Sequence, residues 1–196
     1  MTEVPAVRTL LARAFAEDPM FSWVFPEASG RTEALAVFMG LLVEAYEATG
    51  QVDVVAADDG APAAVALWRV VESVEPPPAA VTLPTVGGYL SAVVGPDHAA
   101  AVGAGLAETR GHRPEGTHAY LNALGAAPER RGQGYGAAAV RRVTDHADAA
   151  RIPTHLDTVS PDNVEWYARR GFDVVARYRL GDGPPAWAMT RPPYPG

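Results

Sequence analysis

The chain contains no cysteine. Disulfides, thiolate metal sites and an acyl-cysteine intermediate are therefore excluded. It contains no lysine either: all sixteen basic side chains are arginine, alongside heavy use of alanine, glycine and proline. This reads as a coding bias rather than as chemistry. No run approaches the ~20 apolar residues that a membrane span needs, and the first residues lack the charged-then-apolar plan of a signal peptide, so a cytoplasmic protein without a membrane partner is the expectation. Positive charge is scarce as well. The net charge is −7, and no basic stripe is present to neutralise phosphates, which argues against a nucleic-acid partner. The five histidines are scattered without ligand spacing, so no metal site is expected. What remains, 196 residues with 48% hydrophobic and 20% charged side chains, has the composition of one globular domain spanning residues 1–196.

Periodicity gives an alternation of helices and strands. A helix is expected over 5–17, with Leu10, Leu11, Ala14 and Phe15 at helical spacing, followed by an aromatic loop over 18–30 punctuated by Pro19 and Pro26. A second helix runs over 31–49 to Gly50, and strands over 51–57 and 63–71 flank the turn Asp58-Asp59-Gly60 as a hairpin. A proline-rich connection over 74–84 leads to two helical stretches separated at Pro96. The C-terminal half reads as a strand over 117–125, a helix over 134–150, a strand over 154–159, a helix over 161–170, and strands over 173–180 and 185–190.

Arg131-Gly132-Gln133-Gly134-Tyr135-Gly136 lies between an expected strand and an expected helix. A helix start presents unpaired N–H groups and the positive end of the macrodipole. Glycines let a bulky anion approach that backbone without meeting a Cβ. The segment is built to hold a phosphate or pyrophosphate. Gly132-x-Gly134-x-x-Ala137 fits a dinucleotide fingerprint, with Asp157 near the place of its ribose-binding acid. That fingerprint, however, follows its strand directly and needs several further strand–helix units. Here Ala127 to Arg131 intervene, and about sixty residues remain.

The same residues also read R-x-x-G-x-G, from Arg131 to Gly136, and in that form resemble the pyrophosphate loop of the GNAT family of N-acetyltransferases. Asn163, Tyr167 and Gly171-Phe172 resemble the family's "N…Y…GF" signature, so that residues 117–191 form the acetyl-CoA-binding core by resemblance. Ala14 to Pro19 and Phe21 to Pro26 resemble, more faintly, the entry segment of bacterial members. Within the family, Val7 to Leu10, Ala57 to Gly60, His112 to Pro114, Asn163 to Phe172 and Trp187 to Arg191 resemble puromycin N-acetyltransferase-like members. The implied fold is α/β (α+β): a single mixed, mostly antiparallel sheet flanked by helices. Members usually begin with a strand, whereas the helical pattern here starts by Pro5, so six strands are expected.

The resemblance implies acetyl-CoA as co-substrate and a small-molecule amine as acceptor, with protein acetylation or a non-catalytic acyl-CoA-binding module as alternatives. Having no lysine, the chain offers none of its own to acetylate. By motif position, Leu124, Gly125 and Ala126 would pair with the pantetheine arm, and a backbone N–H there would polarise the thioester carbonyl. Arg131, Gly132, Gln133, Gly134, Tyr135 and Gly136 would cradle the pyrophosphate. Arg130, Arg141 and Arg142 are open between an adenosine 3′-phosphate contact and simple solvation. Ser160 and Pro161 read as the N-cap and first position of a short helix on which Asn163 and Tyr167 are i, i+4 neighbours. Asn163 would hold the cofactor arm and Tyr167 would protonate the leaving thiolate, a phenol of pKa about 10 serving a thiol of about 8.5. Asp157 is open between a base, direct or through water, and a structural carboxylate. Phe21, Trp23, Phe25 and Tyr46 are open between the acceptor-pocket wall and the core, aromatics in such numbers being more often core. The oligomeric state is open, a homodimer among the options.

Overall fold

Helices of the N-terminal half pack against one face of a single sheet. The computed structural model describes residues 3–27, 29–72 and 83–194, so most of the expected proline-rich connection lies outside it. Helix α1 (Val4–Ala14) begins with Pro5 in its first turn, where the missing N–H has no intrahelical acceptor to lose, and buries Val7, Leu10 and Leu11. It ends three residues earlier than expected.

The expected loop over 18–30 contains a helix instead, α2 (Pro19–Val24). Asp18 caps it by accepting the Met20 N–H at 2.9 Å, and Pro19 pre-sets its first turn. Six residues are too few to show a period, but the Asp-Pro start signal was legible. Helix α3 (Arg31–Thr49) follows as expected, then α4 (Val86–Val94) and α5 (Pro96–Ala107), with a 3₁₀ turn at Glu108–His112.

Six strands, β1 (Gln51–Ala56), β2 (Pro62–Val71), β3 (His118–Ala126), β4 (Thr154–Thr158), β5 (Asp173–Arg179) and β6 (Pro185–Arg191), form one sheet in the order β1-β2-β3-β4-β6-β5. Every adjacent pair is antiparallel except β3 and β4. Helix α6 (Tyr135–Ala150) makes the crossover that a parallel pair requires, and α7 (Pro161–Ala168) joins β4 to β5. The mixed, mostly antiparallel six-stranded sheet is the one expected, and no described strand precedes α1.

Helices cover both faces. Val65 and Leu67 of β2 join the core beneath α1 to α5, while Ala64, Ala66 and Trp68 join the core beneath α6 and α7. This explains why β2 reads as a continuous apolar run rather than an alternation. Helix α1 lies so close to β3 that a Cβ on Gly125 would stand 2.8 Å from Leu11 Cδ2. Leu11 is fully buried at that contact, and truncating it to alanine is expected to cost about 2–5 kcal/mol. No helix among the described residues is long and apolar enough to cross a membrane.

Candidate active site

The site arises where β3 and β4 part. They pair only at Ala119–Thr154, Tyr120–His155 and Leu121–Leu156. On its other side β3 stays paired with β2 as far as Ala126, but with a register shift: Trp68 faces Leu121 and Leu67 faces Ala123, leaving Asn122 as an extra residue. A bulge bends its strand, which accounts for the divergence immediately beyond it. From Asn122 to Ala126, alternate backbone groups of β3 face a gap instead of a neighbouring strand.

Two cavities meet at this gap. The larger, about 810 Å³, runs from the gap over the start of α6. The smaller, about 280 Å³, lies among α2, α3, α4, α5 and strands β3 to β6. Phe15, Asp18, Leu124, Asn163 and Tyr167 line both.

The larger cleft is made of backbone as much as of side chains. Beyond β3 the chain makes a 3₁₀ turn at Pro128–Arg130 and enters α6 through Gly132 (φ +77) and Gly134 (φ +89). These are left-handed conformations that favour glycine, and no heavy atom stands within 4 Å of where either Cβ would be. The first turn of this 16-residue helix carries no acidic side chain. Open space above free N–H groups at a positive dipole end fits a pyrophosphate. The Arg131 guanidinium donates to the Ala14 carbonyl at 3.1 Å, and Arg13 forks onto Glu129 at 3.1 and 3.0 Å, so both arginines tie the loop to α1. Arg130 pairs with Asp59 of the hairpin turn.

Helix α7 forms the far wall. Ser160 occupies the N-cap position but makes no side-chain cap. Thr158 Oγ1 instead accepts the Ser160 N–H and the Asn163 Nδ2–H, each at 3.4 Å. Tyr167 is 7% exposed, packed edge-on against Trp166 and Phe172. Burial holds its hydroxyl above the ordinary phenol range, the nearby Arg170 opposing this more weakly, so the phenol is protonated at neutral pH. Arg170 lies over the Trp166 ring at 3.5 Å and lines the same cleft.

Beneath the smaller cavity one face of the sheet carries a polar layer. Asp157 accepts hydrogen bonds from Tyr178 Oη at 2.6 Å and from Tyr120 Oη at 3.2 Å. Burial raises its carboxyl above the usual range, and these two donors oppose that. His155 is fully buried and bonds Thr190 Oγ1 at 2.8 Å, and burial lowers its pKa to about 3, so it is neutral.

Leu124, Gly125, Ala126, Arg131, Gly132, Gly134, Tyr135, Gly136, Asn163 and Tyr167 all line the larger cleft. Gln133 does not. Arg130 lines it, whereas Arg142 donates to the Val54 carbonyl and Arg141 pairs with Asp145 along α6. Phe21 and Asp157 line the smaller cavity. Trp23, Phe25 and Tyr46 do not line it. Phe25 and Tyr46 are core residues, and Trp23 Nε1 donates to Asp182 at 3.0 Å with its ring against Gly105 and Gly183. Asp18, Trp166, Arg170, Tyr120 and Tyr178 were not singled out. Trp166 and Arg170 could have been, since they sit at i+3 and i+7 from Asn163 on one helical face. Tyr120 and Tyr178 are brought to Asp157 only by strand pairing, and they left no local signal.

Comparison with known proteins fits this geometry. The sequence model of the acetyltransferase (GNAT) family matches residues 14–172. A Corynebacterium glutamicum protein described as histone acetyltransferase HPA2 and related acetyltransferase superposes with a TM-score of 0.70 at 23% identity, covering 100% of this chain and 95% of its own. Arylalkylamine N-acetyltransferase 2 from Aedes aegypti gives 0.64 at 10% identity, covering 98% and 96%. The polyamine N-acetyltransferase of Drosophila melanogaster gives 0.54 at 14%, covering 97% and 95%. At these identities the likeness is one of fold.

Proposed function

The chain belongs to the acetyltransferase (GNAT) family and is an acetyl-CoA-dependent N-acetyltransferase; within that family we propose that it acetylates the primary amine of a small molecule with an apolar or aromatic body. The observation that carries this reading is the meeting of two unlike cavities at Tyr167. One offers free backbone over a helix start, and the other is lined mainly by apolar side chains.

Acetyl-CoA brings the activated acetyl group. Gly132, Gly134, Tyr135 and Gly136 would hold its pyrophosphate, and the unpaired edge from Leu124 to Ala126 would hold its arm. A backbone N–H on that edge would serve as a preorganised donor to the carbonyl on which charge develops. Asn163 spans the junction and positions the arm. The Tyr167 hydroxyl, kept protonated by burial, gives its proton to the departing sulfur.

The smaller cavity sets the acceptor. Phe21, Met39, Leu42, Val102, Leu106 and Leu180 supply apolar wall, worth about 25 cal/mol per Å² of ligand area buried. Its volume of about 280 Å³ and its mainly apolar walls favour a small amine over a protein tail. A compound of the aminoacyl type, such as puromycin, presents an aromatic group beside a primary amine and belongs to this class. Turnover of an amine panel, read as free thiol released from acetyl-CoA, tests the reading. The expected result is release with arylalkyl or aminoacyl amines above the rate with peptides. Preference for peptide N-termini would move the function to protein acetylation, and CoA binding without thiol release on any amine would leave a non-catalytic binding module.

A further inference from the structure

Asp157 is the only acidic side chain of β4, and it lines the acceptor cavity with no arginine nitrogen within 4.0 Å of it among the described residues. Its side chain is 12% exposed. Among the described residues the sole basic nitrogen within 4.0 Å is His155 Nε2 at 3.9 Å, and that imidazole is neutral. A buried carboxylate in a folded protein is ordinarily paired with a cation or fully hydrogen-bonded. Here each oxygen accepts one phenol hydroxyl, from Tyr120 and from Tyr178, which leaves further lone pairs without a donor. Because Asp157 lines the cavity, those lone pairs are accessible to whatever occupies it.

The groups packed around it do not fill that role. Arg113, which follows the 3₁₀ turn, stands over the Tyr120 ring at 4.3 Å; its charge favours the ionised carboxylate from a distance without pairing with it. His112 of that turn stacks on the Tyr178 ring with centroids 4.2 Å apart. The cavity's other carboxylate, Asp18, is engaged in capping α2. The layer is thus arranged to hold one carboxylate rigidly, from behind, with its cationic partner left to come from the cavity.

We propose that Asp157 is the docking group and first proton acceptor for the acceptor amine, so that the cavity selects a singly charged primary ammonium with an apolar body. The assignment rests on the acetyl-transfer reading and gives its acceptor a charge state. The steps balance. An N–H bond of the ammonium breaks as an O–H bond forms on Asp157, and the neutral nitrogen is the nucleophile. Its C–N bond forms as the C–S bond breaks. The second nitrogen proton goes to sulfur with Tyr167 as carrier, and one proton per turnover leaves from Asp157.

The test uses 2-phenylethylamine and 2-phenylethanol, which share a body and differ in the ammonium, titrated calorimetrically into the wild-type protein with CoA present. The amine is expected to bind at least 10-fold more tightly than the alcohol. Asp157→Asn is expected to erase that difference while leaving alcohol affinity unchanged. The wild-type protein gives a second measurement that needs no variant to fold: amine affinity falls as acid protonates Asp157, while alcohol affinity stays flat. Equal binding of amine and alcohol, no binding of either, or an Asp157→Asn protein that still prefers the amine would each overturn the assignment. Acetyl transfer at the wild-type rate in Asp157→Asn would overturn it too. Amine docking on Asp157 with no thiol release on any amine would instead fell the acetyl-transfer reading and leave the docking group standing.

Discussion

The two cavities that share Tyr167 are built on opposite principles. The larger is assembled from three contiguous stretches, around 13–19, 124–137 and 160–170, and much of its binding surface is main chain. The smaller draws side chains from five helices and four strands that lie up to some hundred and seventy residues apart, from Phe15 to Ala186. A main-chain site needs little of its sequence beyond glycines and a helix start, whereas a side-chain site depends on every element that lends it a wall. Substitutions should therefore act in different ways on the two sides: abruptly and locally in the cleft, diffusely in the cavity.

The sharpest break is expected at Gly134→Val. Position 134 has φ +89 and open space around its missing Cβ, so valine would project into the volume a pyrophosphate needs. Loss of two charge-assisted hydrogen bonds of ~2 kcal/mol each predicts a fall in CoA affinity on the order of 10³-fold. The left-handed backbone should cost only about 1–2 kcal/mol of stability, which a folded domain survives. Calorimetric titration of CoA, with circular dichroism to verify the fold, measures both. Unchanged affinity in a folded variant would show that the loop is not the cradle.

Tyr167→Phe tests the shared boundary. The ring keeps its packing against Trp166 and Phe172 while the hydroxyl is lost. The expected result is a drop on the order of 10²-fold in kcat with CoA affinity retained. Wild-type turnover would make Tyr167 a packing residue of the boundary and nothing more.

The contrast also explains what the sequence made legible. The R-x-x-G-x-G run and the Asn163–Tyr167 spacing are local, and both lie on the wall of one cleft. The apolar period of α1, the end of α3 at Gly50 and the β1–β2 hairpin were equally plain, because each is set by residues within a few positions. Helix α2 was missed because six residues carry no period. Trp23, Phe25 and Tyr46 could not be assigned from the sequence, because aromatic identity does not say which side of a wall a ring takes. Gln133 stands inside the motif yet not on the cleft, which motif membership alone does not reveal.

The polar layer beneath the acceptor cavity should show itself as pH dependence of stability. Burial depresses the folded-state pKa of His155 to about 3, against an ordinary value of 6.5. Between those values the unfolded chain binds the extra proton, so stability is fully present above about pH 6.5 and is lost as pH falls toward 3. One proton contributes at most about 1.4 kcal/mol per pH unit. Urea midpoints measured from pH 7.5 to 5 should therefore decline, and His155→Asn, which keeps an acceptor for Thr190, should flatten that slope. An unchanged slope would assign the pH dependence to other groups.

The smallest effect is expected at Trp23→Ala, and it separates a residue that lines a wall from one that supports it. Trp23 does not line the acceptor cavity, but its ring lies on Gly105 and Gly183 and its Nε1–H reaches Asp182 at 3.0 Å. Its backbone carbonyl also meets His98 Nε2 at 2.9 Å, so α2, α5 and the β5–β6 turn converge on this one residue. Leu180 and Ala186, at the two ends of that turn, do line the cavity. Truncation should thus loosen the turn rather than remove a contact with the acceptor. The predicted outcome is a loss of about 1–3 kcal/mol in stability, less than for a fully buried tryptophan because Trp23 is half-buried. The acceptor KM should rise only a few-fold, with kcat and CoA affinity unchanged. Thermal unfolding and steady-state kinetics with the best amine of the panel measure these separately. If kcat collapses while stability holds, Trp23 acts on the acceptor directly, and the boundary of the side-chain site must be redrawn to include α2's outer face.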